Sequence, residues 1–98
     1  MRGLKGFDWD AANWSKSELK HGVAAAEAED VLLGDPLCHV DSRHGDEEQR
    51  YVALGRTAEG RLLFVAFTVR RNRIRVISAR PMSRKEREIY EQAQTTRD

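Results

Sequence analysis

The sequence predicts an α+β domain in which two N-terminal helices and one C-terminal helix pack on an antiparallel sheet of three to four strands. Three observations lead there. Helix-like stretches closed by Gly22 and by Gly34-Asp35-Pro36 fill the first third of the chain. An unbroken apolar run, Leu62 to Phe67, lies between two turn signals in the second half. Ser83-Arg84-Lys85-Glu86 then has the Ser-x-x-Glu spacing that starts a helix.

Taken in order, Phe7-Asp8-Trp9-Asp10 alternates apolar and acidic residues, the pattern of a short edge strand, and Asp10 suits the N-cap of a helix. That helix is expected from about Ala11 to His21, with a thin stripe of Ala12 and Leu19, Trp14 to one side, and Gly22 as its stop. Val23 to Leu33 reads as a second helix with Ala24, Ala28, Val31 and Leu32 on one face. Leu37 to Val40 is a strand, followed by a polar loop through Glu48. Tyr51 to Arg56 is the next strand, and Thr57-Ala58-Glu59-Gly60 is a hairpin turn in which Gly60 supplies positive φ. Arg61 to Val69 is apolar on both faces, with Leu63, Val65 and Phe67 on one and Leu62, Phe64 and Ala66 on the other. Such a strand belongs in the middle of a sheet covered on both sides. A turn at Arg70-Arg71-Asn72 leads to the strand Arg73 to Ala79, and Pro81 breaks the chain. The capping box then nucleates a helix to about Gln94. No repeat, linker or low-complexity segment interrupts residues 1–98, so one domain is expected.

Composition narrows the function. Of the 98 residues 40% are hydrophobic and 34% charged, enough for one core under a wet surface. No stretch approaches the roughly 20 apolar residues that cross a bilayer. Met1-Arg2-Gly3-Leu4-Lys5-Gly6 has no apolar export segment, which leads to the expectation of a cytoplasmic protein. Cys38 is the single cysteine, so neither an internal disulfide nor a cysteine zinc site is expected, and no cofactor. The net charge of +1 hides an asymmetry. Residues 1–49 carry 5 Lys/Arg against 11 Asp/Glu, or −6, and residues 50–98 carry 12 against 5, or +7. The second half is thus suited to an anionic partner.

The cations of that half are nearly all arginine, eleven against one lysine. Guanidinium groups grip phosphate in a planar, bidentate way and stay charged, which serves both binding and transition-state stabilisation. Strict alternation points Arg73 and Arg75 one way and Ile74, Val76 and Ser78 the other, with Arg80 continuing the second set. Arg50 and Arg56 bracket Val52 and Leu54 in the same manner, so the arginines are expected around one sheet rim. Protection of exposed strand edges is the competing explanation. Lys20-His21-Gly22-Val23 ends the first helix, where a protonated histidine also meets the negative end of the helix dipole. A histidine near a phosphate can move the protons that RNA transesterification requires. His39 and His44 lie near Asp41, Asp46 and Glu47 without a metal-ligand spacing, so a solvated loop is expected there. Tyr90, one turn after Glu86, is expected to pack on the sheet.

Five motifs in order then resemble a known family. Phe7-Asp8-Trp9-Asp10, Lys20-His21-Gly22-Val23, Leu54-Gly55-Arg56 with Gly60-Arg61, Ile77-Ser78-Ala79-Arg80, and Glu86-Arg87 with Tyr90 are similar to the BrnT toxins over nearly the whole chain. The resemblance implies a RelE-like fold and an endoribonuclease that needs no metal and halts translation. It implies a BrnA-type ribbon-helix-helix antitoxin as partner, in a heterotetramer that reaches DNA only through the antitoxin. Carried over by motif, His21, Arg56 and Arg80 are the catalytic candidates, and Lys20, Arg50 and Arg75 the substrate contacts. Two positions depart from the family pattern. Ser17 and Glu18 stand where many members have an asparagine, and Ala24 gives the second helix no side-chain cap, at a cost of about 1 kcal/mol. A nonenzymatic module that binds nucleic acid or only its antitoxin is the alternative. Both readings predict salt-sensitive nucleic-acid binding, whereas a purely structural subunit predicts none.

Overall fold

The computed structural model describes residues 6–8, 14, 18, 20–41 and 49–96. Their elements are α1 (Ala25–Leu33), β1 (Leu37–Val40), β2 (Arg50–Arg56), β3 (Leu62–Arg70), β4 (Arg73–Pro81) and α2 (Arg84–Thr96). The strands form one antiparallel sheet in the order β1-β2-β3-β4. Phe7 adds a single parallel bridge to Ile74 on the outer edge of β4. One helix, α1, is complete before the sheet. Of the expected first helix, Trp14, Glu18, Lys20 and His21 are helical, and Ala12, Leu19 and the other residues up to His21 lie outside the described set, as do Trp9 and Asp10 of the edge strand. The helical residues end where the Gly22 N–H donates to the Glu18 carbonyl at 2.7 Å, with Gly22 at φ +68°. That is the left-handed C-cap for which glycine is the favoured residue.

The α1 helix begins two residues later than its pattern predicts. Ala24 is extended at φ −77°, ψ 155°, which turns Val23 (fully buried) into the core ahead of the helix. Ala24 has no side chain to cap the helix, but the Glu27 carboxylate accepts its backbone N–H at 3.0 Å and closes half of a capping box. Buried Ala28, Val31 and Leu32 then pack with Val23 on Ala53, Leu63, Val65, Phe67, Ile74, Val76 and Ala79. On the opposite face Tyr90 and Met82 cover Val52 and Leu54, with Leu37, Leu62 and Phe64 at the margin. Tyr90 packs against the sheet, as its spacing from Glu86 predicts.

The strand β4 departs from strict alternation. Its register with β3 pairs Phe67 with Val76 but Ala66 with Ser78, so Ile77 is an inserted residue, a β-bulge. One extra residue reverses which face each later side chain takes. Ile74, Val76 and Ala79 therefore share the α1 face. Arg80, which pairs with Phe64, falls on the α2 face, as does Arg75, which pairs with Thr68. The expected grouping of Arg80 with Ile74 and Val76 is thus corrected by the bulge.

The two hairpins are built differently. Thr57-Ala58-Glu59-Gly60 places Gly60 at φ +91°. Between β3 and β4 the pair Arg70 and Arg73 is joined by only Arg71 and Asn72, at φ 52° and 65°. Positive φ at both residues is the type I′ geometry, and an arginine there costs about 1 kcal/mol more than glycine or asparagine. Gly55 meets a different constraint. A Cβ on it would stand 2.8 Å from Val31 Cγ1 and 3.4 Å from Pro36 Cβ. Val31 is stiff at χ1 and sealed in the core, so it cannot yield. We predict that Gly55→Ala lowers stability by about 1–3 kcal/mol in urea unfolding, and an unchanged midpoint contradicts this packing.

Candidate nucleic-acid site

The arginines of the α2 face divide between the two ends of the sheet. Arg56 closes β2 opposite Leu62, and Arg80 lies opposite Phe64 near the end of β4. Arg50 and Arg75 both flank Thr68 at the other end, in one row across the sheet. The seven residues of β2 separate the two ends by roughly 20 Å. The expected single rim is in fact two basic ends joined by one face.

The first end also receives the segment carrying Lys20 and His21. Arg61 Nη1 donates to the Gly22 carbonyl at 2.9 Å and to both Glu27 carboxylate oxygens at 3.1 Å. The Asp30 carboxylate accepts the Ala58 N–H, and the Thr57 hydroxyl accepts the Arg61 N–H. These bonds pin the helix end, the start of α1 and the β2–β3 turn together. Exposed Lys20 and half-buried His21 thus reach the sheet end that bears Arg56 and Arg80, but from the α1 side. Val23, two residues beyond His21, is already in the α1 core. Of the six sequence candidates, Arg56 and Arg80 share this end on the α2 face and Lys20 and His21 reach the same end from the α1 side, whereas Arg50 and Arg75 lie at the opposite end.

Arg80 is the most constrained of them. Its Nη1 and Nη2 donate to the two oxygens of Glu86 at 2.8 Å each, and Nη1 also donates to the Pro81 carbonyl. The guanidinium lies 3.9 Å over the Phe64 ring centroid, a cation–π geometry. No bond to a described residue occupies Nε–H or the second Nη2 hydrogen. Arginine has five N–H donors in a planar fork, so this arrangement leaves one two-donor edge of phosphate width. Glu86 was expected to cap α2, and it does: its carboxylate accepts the Ser83 N–H while its own N–H donates to Ser83 Oγ. The same carboxylate orients Arg80, a second role that sequence reasoning missed. Arg80, foremost, and then the Ser83 N–H hold the Glu86 carboxyl below its ordinary range against the opposing effect of burial.

At the other end Arg70, Arg71, Arg73 and Arg75 line an open concavity of about 680 Å³ with Asp8. Asp8 stands 3.9 Å from Arg75. A second concavity of about 450 Å³ runs between β1 and α2 beside Glu86, lined by Leu37, His39, Val52, Leu54, Phe64 and Ile89 among others. Of the proposed histidine–acid loop, His39 and Asp41 border this groove and His44, Asp46 and Glu47 lie outside the described residues. No helix among the described residues is long and apolar enough to cross a membrane.

Comparison with known proteins adds two findings. The family model described as the ribonuclease toxin BrnT of type II toxin–antitoxin systems matches residues 9–86. The ribonuclease toxin BrnT of Brucella abortus has a similar crystal structure, with a TM-score of 0.58 and 23% identity over 81% of this chain and 97% of that one. The structural likeness speaks for the fold. No curated protein sequence matches.

The Arg80–Glu86 pair generates a pH prediction. Because the folded-state pKa of Glu86 is depressed, its contribution is present above the unfolded carboxylate range and lost as pH falls through the folded value. Glu86→Gln should therefore lower stability at neutral pH by about 1–2 kcal/mol and match wild type once acid has protonated Glu86. A constant difference between the two from neutral to acid pH contradicts this.

Proposed function

Because the chain belongs to the BrnT family of ribonuclease toxins of type II toxin–antitoxin systems, we propose that it is a metal-independent endoribonuclease that cuts RNA and arrests translation. The observation that supports this reading is the placement of Arg56 and Arg80 on the α2 face of one sheet end, with a two-donor edge of Arg80 uncommitted, and of the Lys20–His21 helix end at the same end from the α1 side. Cleavage by transesterification requires a base to take the 2′-hydroxyl proton, attack of that oxygen on phosphorus, and a proton for the departing 5′-oxygen. His21 serves one of the two proton transfers. Arg80 and Arg56 stabilise the phosphorane, whose nonbridging oxygens gain a second negative charge as the 2′-oxygen attacks the already anionic phosphodiester. Lys20 contacts a neighbouring phosphate, and Arg50 and Arg75 contact the strand farther along the same face.

Glu86 sets the strength of Arg80 in this scheme. It holds the guanidinium in one orientation over Phe64, and it also offsets part of the positive charge. That offset is the one observation favouring the alternative, a binding module without catalysis. The partner proposed in either case is a BrnA-type ribbon-helix-helix antitoxin, in a heterotetramer that contacts DNA through the antitoxin alone. The apolar groove of Leu37, Leu54, Phe64 and Ile89 beside Glu86 offers such a chain a landing place from which it covers Arg80.

Induced expression in growing cells separates the readings. Wild type should arrest growth with cleavage of cellular RNA, and Arg80→Ala and His21→Ala should each lose at least about a hundredfold in cleavage while staying folded. Arg80→Lys keeps the charge but loses the fork, and should also fall well below wild type. Normal growth and intact RNA from folded wild-type protein leave the binding module.

A further inference from the structure

We propose that the concavity at the β3–β4 hairpin is a second, remote RNA-backbone site, and that the substrate is a single strand lying along the α2 face between this hairpin and Arg80. The inference rests on the ribonuclease reading for its substrate and goes beyond it in assigning Arg70, Arg71 and Arg73, which the catalytic motifs do not include.

Among the described residues, four arginines and no lysine line this concavity. Around 680 Å³ of open space is more than one phosphate fills. Arg71 and Arg73 have no ion pair with any described residue, and both are exposed. Arg71 occupies a φ of 52° in a two-residue turn, a position where glycine or asparagine relieves the backbone. Strain of this kind persists where a side chain is needed at that point, and here the side chain delivered is a fourth guanidinium. The bulge at Ile77 then makes the site continuous with the catalytic end. Arg73, Arg75 and Arg80 share one face because of it, and Arg50 joins them through its pairing with Thr68.

The ground between is low. Ala66 pairs with Ser78 midway between Thr68–Arg75 and Phe64–Arg80, and the half-buried bulge residue Ile77 lies beside them, so uncharged side chains separate the two arginine groups. Phe64, half-buried beneath Arg80, is the aromatic at the far end. A basic track with an aromatic beside it suits a flexible single strand, whose phosphates and bases are both accessible. A duplex keeps its bases stacked and offers none of them to the aromatic at Phe64. Guanidinium forks grip phosphate in bidentate geometry, and a strand carries one phosphate per nucleotide, so clustered arginines can share successive phosphates. Asp8 is the one carboxylate among the described residues lining the concavity, and it faces Arg75. It competes with the incoming phosphate for that arginine.

The test uses the purified full chain and a 2′-O-methyl RNA strand of about 12 nucleotides, which lacks the attacking hydroxyl and so is bound but not cut. Arg71→Asn combined with Arg73→Ala should weaken binding at least about tenfold. The slope of log affinity against log salt should fall by about 1.4, the value for two single-strand phosphate contacts. Asp8→Asn should change affinity in the opposite direction. Arg71→Asn also relieves the turn, so the double variant should unfold at no lower urea concentration than wild type, and loss of binding is then not loss of fold. Unchanged affinity overturns the proposal, including the case in which the double variant loses binding to polyglutamate instead, which marks an acidic-protein surface. The two readings fail separately. Cleavage of natural RNA by wild type with strand affinity unaffected by the hairpin substitutions overturns only the remote site. Strand binding that depends on the hairpin, with no cleavage of natural RNA, supports the remote site and overturns the ribonuclease.

Discussion

A β-strand can present a set of side chains on one face only while its two-residue period holds, and in β4 that period is broken once. The bulge at Ile77 lets Ile74 and Val76 before it and Ala79 after it all enter the α1 core. It equally sends Arg75 before it and Arg80 after it to the opposite face. With uninterrupted alternation, Arg80 would point into the apolar layer of Val23, Val31 and Leu63, where an unpaired guanidinium costs several kcal/mol. The α1 core, the common arginine face and the position of Arg80 near α2 therefore depend on one inserted residue. Bulges are often found where a strand must re-aim a functional side chain, and this one re-aims Arg80 beside Glu86.

Around Arg80 the structure joins folding to chemistry. Glu86 caps α2 through Ser83 and binds Arg80 with both oxygens, so the helix that covers Val52 and Leu54 begins at the same carboxylate that orients the guanidinium. Stacking on Phe64 confines the group further. A long, flexible side chain is thereby held with one donor edge open, which removes the entropy a mobile arginine loses on gripping phosphate. At the other face Arg61 does comparable work for the helix end, bonding Gly22 and Glu27 at once. The Lys20–His21 segment is fixed to the sheet end through it.

Most of the architecture was legible from pattern. The strand Leu37–Val40 is legible with its bounds, and the paired apolar faces of Leu62 to Phe67 place β3 between two covered layers, where it lies. These features follow from alternation and turn residues, which act locally. The bulge was missed because Ile77 is apolar and the residues Arg73 to Ser78 fit a regular strand. One signal was available: regular alternation puts Arg80 inside and Ala79 outside, and an arginine on the apolar row asks for an insertion. The α1 helix starts two residues later than its pattern implies because Val23 suits a helix as well as it suits a core plug. Recognition of the family came from five short motifs in order, and the family match over residues 9–86 agrees with it. The Arg80–Glu86 and Arg61–Glu27 bonds have no sequence signal of their own, because the first spans the turn into α2 and the second joins residues 34 apart, and only the fold defines either approach. The resemblance named the residues. It could not show that Arg50 and Arg75 lie at the far end of the sheet from Arg56 and Arg80.

The central claim is that guanidinium and histidine side chains at one sheet end cut RNA by attack of its own 2′-oxygen. It is tested most directly by incubating the purified protein with a defined single-stranded RNA in the presence of a metal chelator and identifying the new termini. The account predicts cutting under chelation, with a 2′,3′-cyclic phosphate on one fragment and a 5′-hydroxyl on the other, since no water enters the step that breaks the chain. Intact RNA, or fragments bearing a 3′-hydroxyl and a 5′-phosphate from direct attack by water, would contradict it.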